Sequence, residues 1–165
     1  MSFIETQRLL IRKWMPSDVD AATAIYGDPE VMRFIPVGPL SREQTARMIE
    51  RFVDEDERSG FGLWPVIAKE TGAIVAECGL HTLAETGEVE IGWLFARDAW
   101  GKGYATEAGR AVLEFGFGEA RLRRIVCLID RENHRSVAVA NRLQFHYDRI
   151  GRYYNRDLMK YYRES

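Results

Sequence analysis

The run Trp100-Gly101-Lys102-Gly103-Tyr104-Ala105-Thr106-Glu107 leads directly into an amphipathic stretch that continues to Phe117, and an apolar, strand-like run, Val89 to Ala96, precedes it. The order strand, small-residue loop, helix start aims several backbone N–H groups at one spot, because first-turn amides have no carbonyl partner within their helix. Those donors, with the positive end of the helix dipole, suit a phosphate or pyrophosphate. Gly101 and Gly103 carry no Cβ, so an anion can approach the main chain and positive φ is accessible. Two glycines also suffice for a plain tight connection, and spacing alone leaves that reading open. Thr106 and Glu107 fall near the helix start, where a threonine can cap amides and an acid suits the dipole. A P-loop fits poorly, since Lys102 is followed by Gly103 rather than Ser or Thr, and a dinucleotide fingerprint lacks its third small residue in register.

Trp100-Gly101-Lys102-Gly103-Tyr104-Ala105 resembles the Q/R-x-x-G-x-G/A loop of the GNAT N-acetyltransferases. With Glu90-Ile91-Gly92-Trp93 before it and Thr106-Glu107-Ala108 after it, the wording is most similar to the branch of ribosomal-protein N-terminal acetyltransferases. Thr6, Arg8, Leu9, Ile11 and Arg12 near the start, Asp28 to Met32, Asn133-x-x-Ser136 and Arg156-Asp157-Leu158 belong to the same pattern. The resemblance implies acetyl-CoA as cofactor, with its pyrophosphate over Gly101, Lys102, Gly103, Tyr104, Ala105 and Thr106. It implies a pantetheine arm along the strand edge at Leu94, Phe95 and Ala96, with a backbone N–H at Leu94 or Phe95 as an oxyanion donor. It also implies that Asn133 hydrogen-bonds the cofactor and that Ser136 lies near the sulfur. Three positions depart from the pattern: Trp100 replaces the usual Gln or Arg, Ala140 stands where many members carry a tyrosine acid, and Gln144 stands where glycine is usual.

Acetyl transfer to an amine needs a proton acceptor for the amine and a donor for the departing thiolate. Glu90 interrupts an apolar run on the strand expected to hold the thioester, and a carboxylate drawn out of water is poised to accept a proton, directly or through water. It is the expected base, although an exposed edge acid or the partner of a core arginine would look the same in sequence. Glu77, Glu88 and His81 are further titratable residues in strand-like runs. Asn133 suits a helix N-cap as well as a ligand contact, and Ser136 is the expected thiolate donor.

These residues need a scaffold. A chain of 165 residues suits one domain, 1–165, with a sizeable core. Leu9 to Trp14 reads as a first strand, and Ser17 or Asp18 caps a short helix to Tyr26. Asp28-Pro29-Glu30 has the form of a helix restart, and Ser41-Arg42-Glu43-Gln44 that of a capping box opening a helix to Arg58. Strands follow over Phe61 to Lys69, Ile74 to Leu83 and Glu88 to Phe95. After the central helix, Gly103 to Glu119, come a strand at Arg123 to Ile129, a helix at Arg135 to Leu143, and strands at Phe145 to Tyr153 and Asp157 to Tyr162. The expected fold is mixed α/β (α+β) of GNAT type, with a largely antiparallel sheet of six to seven strands and about four helices.

A net charge of −2 gives no global attraction to nucleic acid. No apolar stretch approaches a membrane span, Cys78 and Cys127 form no disulfide or metal framework, and no signal-peptide pattern opens the chain. The expectation is a cytoplasmic enzyme without metal, nucleic acid or membrane partners. It transfers acetyl from acetyl-CoA to a primary amine, a peptide N-terminus or a small amine, in a ternary complex. A non-catalytic acyl-CoA-binding module is the alternative. An interaction domain using Arg121, Arg123 and Arg124 is a third reading. The oligomeric state stays open, with a homodimer among the options.

Overall fold

The computed structural model describes residues 3–165. A short strand β1 (Phe3–Glu5) pairs with β2 (Leu9–Arg12), and helix α1 (Val19–Tyr26) follows a 3-10 turn. Helix α2 (Arg42–Ser59) leads to β3 (Leu63–Ala68), β4 (Ile74–Thr82) and β5 (Val89–Phe95). Helix α3 (Tyr104–Gly118), β6 (Arg124–Ile129), α4 (His134–Arg142), β7 (His146–Tyr153) and β8 (Arg156–Glu164) complete the chain. The sheet therefore has eight strands, in the order β1-β2-β3-β4-β5-β6-β8-β7, rather than six to seven. The additional one, β1, has only three residues, too few for alternation to register.

Local chemistry explains the helix ends. Ser41 Oγ accepts from Gln44 N, Gln44 Oε1 accepts from Ser41 N at 2.8 Å, and Gly60 closes α2 at φ +76°. The helix restart expected at Asp28 does not form. Residues 28–38 run as successive turns, because Pro36, Gly38 and Pro39 deny the segment length enough to propagate.

Strands β1 to β5 pair antiparallel in succession, and among the described residues β5 and β6 are the single parallel pair, with Glu90 opposite Val126 as its one partner pair. Beyond that pair the two strands diverge. One sheet face buries Ala76, Cys78, Leu80, Ile91 and Phe95 against Ala108, Val112 and Leu113 of α3 and Val139 and Ala140 of α4. On the opposite face, Ile74 and Leu94 pack against a cluster containing Tyr26 of α1 and Ile49 of α2. Helices thus cover both faces, and past Glu90 the β6-facing edge of β5 is left unpaired, the gap between the two strands forming a cleft.

Candidate active site

Helix α3 begins without a side-chain cap. Its N-cap is Gly103, at φ +78°, and Gly101 stands at φ +75°. The first intrahelical bond runs from Glu107 N to Gly103 O at 3.1 Å, so the amides of Tyr104, Ala105 and Thr106 have no carbonyl within the helix. Thr106 does not cap them, in contrast to α2 and α4, whose N-caps are Ser41 and Asn133. A Cβ added at Gly101 would meet nothing within 4 Å, and one at Gly103 only Arg8 Nη2 at 3.5 Å. Open space in front of free amides fits a diphosphate.

The loop is held from behind. Glu107 Oε1 accepts from Thr6 Oγ1 at 2.6 Å and Arg8 N at 2.9 Å, and Glu107 Oε2 accepts from Arg8 Nε at 2.7 Å. Arg8 Nη1 donates to Lys102 O at 2.9 Å, and its guanidinium lies 4.7 Å from the centre of the Tyr104 ring. Burial works against the Glu107 carboxylate, but the bonds from Thr6 and Arg8 outweigh it and lower its pKa. Glu107 is therefore more than a first-turn acid suiting the dipole. It joins the Thr6-x-Arg8 signature to the glycine loop, a pairing that residues 99 apart did not reveal.

At the strand edge the structure corrects two expectations. Ala96 N donates to Val75 O and Ala96 O accepts from Ala99 N, each at 2.9 Å, so the Ala96 N–H is not free to donate to a cofactor. Strand pleating makes successive residues face opposite neighbours. Leu94, opposite Glu77, therefore shares the β4-facing side of Ala96, while Phe95 faces the cleft. Trp100 Nε1 occupies Phe95 O at 2.8 Å. That leaves the Phe95 N–H as the edge donor, and it explains what the tryptophan does where Gln or Arg was expected.

Across the cleft, Asn133 Oδ1 caps α4 by accepting from Ser136 N at 3.2 Å. Ser136 Oγ accepts from Trp93 Nε1, also at 3.2 Å. Ala140 is fully buried, so the missing tyrosine is replaced by packing.

Glu90 lies at the base of the cleft. Its Oε1 accepts from Leu128 N at 3.1 Å, two residues past the last parallel partner, so the carboxylate stands where the strand ladder stops. Its Oε2 accepts from Tyr154 Oη and lies 2.9 Å from His81 Nε2. Burial disfavours the imidazolium, but the bond and charge of Glu90, with Glu55 and Glu77, outweigh it and raise the His81 pKa. Tyr154, at φ +51° in the β7–β8 turn, is pushed up by burial and then by Glu90. Such a backbone is strained for a bulky residue, and here it carries the phenol to Glu90. Glu77 sits elsewhere on the same face, hydrogen-bonded to Tyr26 Oη, and complete burial raises it to about 8. Glu88 turns to Lys160 Nζ, 2.7 Å away. The structure thus gathers the glycine loop, Phe95, Asn133, Ser136 and Glu90 around one cleft, and sets Leu94, Ala96, Glu77 and Glu88 aside.

Comparison with known proteins identifies the family and the fold. Residues 8–146 match the family model for the acetyltransferase (GNAT) domain. A Bacillus licheniformis relative named N-acetyltransferase p20, itself uncharacterized, is 32% identical over 158 residues, covering 94% of this chain and 89% of the relative. The crystal structure of a GNAT-family acetyltransferase from Bacillus anthracis superposes with a TM-score of 0.83 at 30% identity, over 97% of this chain and 95% of that one. The fold is also that of RimL, a ribosomal L7/L12 alpha-N-protein acetyltransferase solved with coenzyme A, at a TM-score of 0.85 and 17% identity over 99% and 98% of the two chains. No helix among the described residues is long and apolar enough to cross a membrane.

Proposed function

Because this chain belongs to the GNAT acetyltransferases, enzymes that use acetyl-CoA, we propose that it acetylates a primary amine by direct attack in a ternary complex. The observation that carries this reading is the uncapped start of α3, with Gly101 and Gly103 both in left-handed conformation beside the open edge of β5. Bound acetyl-CoA supplies an activated acyl carbon. The amides of residues 104–106 hold its diphosphate, Asn133 lies along its arm, and Phe95 N–H faces the carbonyl oxygen, where a fixed donor stabilises developing charge.

On the acceptor side, Glu90 receives a proton from the incoming ammonium directly or through water, with His81 and Tyr154 bound to the same oxygen. The freed amine forms the C–N bond as the C–S bond breaks. Ser136, whose Oγ already accepts from Trp93, has its own O–H to give to the thiolate, and recovers a proton as the amide nitrogen loses its second one. Glu85 and Glu55 act on Tyr154 together with Glu90, and this acidic surround favours a cationic acceptor, a peptide N-terminus or a small amine. The chain acts as one catalytic domain in the cytosol, a setting that keeps the buried thiols of Cys78 and Cys127 reduced.

The test is thiol release from acetyl-CoA against a panel of peptide N-termini and small amines. Turnover with at least one amine, lost together with coenzyme affinity in Gly103→Val, is the expected result. Tight coenzyme binding without turnover across the panel would make the protein an acyl-CoA-binding module instead.

A further inference from the structure

Arg135 lies in the first turn of α4, between the cap Asn133 and the candidate thiolate donor Ser136. Its guanidinium carbon stands 4.1 Å from the centre of the Trp100 ring. That ring is fixed at its other end by the bond from Nε1 to Phe95 O, and Trp100 directly precedes Gly101. The stack therefore spans the cleft, joining the wall made by α4 to the wall made by β5 and the glycine loop. Arg135 is exposed, and none of the salt bridges among the described residues engages it. This sets it apart from Arg8, whose charge is spent on Glu107.

A planar guanidinium stacked on an indole keeps its in-plane N–H donors pointing outward. The ring that holds them belongs to the residue before Gly101, on the loop that leads to the free amides of residues 104–106, and Arg135 itself lies in the first turn of a second helix. The same tryptophan that removes the usual Gln or Arg side chain from the loop thus returns a cation to it from another element.

Resting on the reading that the cleft holds acetyl-CoA, we propose that Arg135 is a phosphate-binding residue of the coenzyme site, oriented by its stack on Trp100. The guanidinium is already held over the Trp100 ring before any ligand arrives, which lowers the ordering cost of binding. A charge-assisted bidentate contact of this kind amounts to roughly ten- to hundredfold in affinity. Lysine would keep the charge and lose both the plane and the fork, so it restores only part of the binding.

The experiment is calorimetric titration of coenzyme A, dephospho-coenzyme A and pantetheine into the wild type, Arg135→Ala, Arg135→Lys and Trp100→Leu. Arg135→Ala should weaken coenzyme A at least tenfold, with a shallower salt dependence, and leave the phosphate-free pantetheine unchanged. Trp100→Leu should weaken coenzyme A by a smaller factor, and circular dichroism reports whether it has kept its fold. If the loss persists with dephospho-coenzyme A, Arg135 contacts the diphosphate; if it disappears, the contact is to the ribose phosphate. Either result supports the assignment. Unchanged coenzyme A affinity in Arg135→Ala, or an equal loss for pantetheine, would overturn it. A wild type that ignores coenzyme A altogether would instead remove the acetyl-CoA reading beneath it.

Discussion

The indole of Trp93 donates to the hydroxyl of Ser136 over 3.2 Å, tying β5 to the first turn of α4 across the cleft. A hydroxyl that accepts one bond in this way is oriented, and its own proton is left to point elsewhere. We expect Ser136→Ala to lower kcat about 10- to 100-fold while changing the KM for acetyl-CoA little, the pattern of a lost proton donor. Trp93→Phe keeps the ring and removes the donor, so a smaller fall in kcat should follow. Steady-state kinetics on both variants decides the matter, and a wild-type rate in Ser136→Ala would leave thiolate protonation to water.

Glu90 offers a second check. Its two oxygens serve Leu128 N, Tyr154 Oη and His81 Nε2, and a glutamine at this position cannot accept all three. Glu90→Gln should therefore lower both kcat and thermal stability. The pH profile separates these effects. His81 faces Glu90 from β5, Glu55 from α2 and Glu77 on its own strand, and its pKa is raised above the ordinary 6.5. The His81 imidazole resonance should accordingly titrate above pH 6.5 and move to lower pH in Glu90→Gln, because the imidazolium loses its partner, whereas the fall in kcat should persist across the pH range, as for a missing base. An unmoved His81 titration would break the coupling, and a kcat restored at high pH would leave Glu90 a structural residue.

Much of the scaffold was legible because its signals are local. The Ser41–Gln44 capping box, the alternation of β4 and β5, and the two loop glycines each report on a few neighbouring residues. What escaped notice is long-range. Nothing near Glu107 announces Thr6 and Arg8, and nothing near Glu90 announces the Leu128 amide, because these pairings exist only once the strands have taken their places. Leu94 and Ala96 turn toward β4 for a subtler reason: edge accessibility depends on pleat phase, which follows from the register with β4. Gln144 shows the converse. It stands at φ +60°, a conformation that glycine adopts without strain, so the backbone accounts for the glycine usual at this position and the glutamine carries a strain here.

The strap from the chain start to the glycine loop carries its own expectation. Glu107→Ala leaves Arg8 without its carboxylate and releases Thr6, so the loop loses its support rather than any ligand contact. We expect weaker coenzyme A binding by about 3- to 10-fold, consistent with loss of preorganisation, together with a lower melting temperature. Glu107→Gln retains one acceptor oxygen and should fall between. Titration of coenzyme A alongside a thermal melt tests this, and an unchanged affinity would show that the loop holds its shape without the strap.

Glu77 supplies a prediction about stability rather than turnover. Complete burial raises its pKa to about 8 from the ordinary 4.5, with His81 pulling in the opposite direction. Between those two values the folded protein holds a proton that the unfolded chain has released. Stability therefore falls as pH rises from about 5 to 8, by roughly 1 kcal/mol per pH unit. His81, also raised, adds to the decline only above pH 6.5, so the lower part of the window reports on Glu77. Glutamine is a neutral isostere that still accepts from Tyr26 Oη and has no proton to lose. Glu77→Gln should be more stable than the wild type at pH 8, nearly equal to it at pH 4.5, and flat between pH 5 and 6.5. Urea denaturation across this range provides the measurement, and parallel profiles for the two proteins would mean that Glu77 is already ionised in the fold.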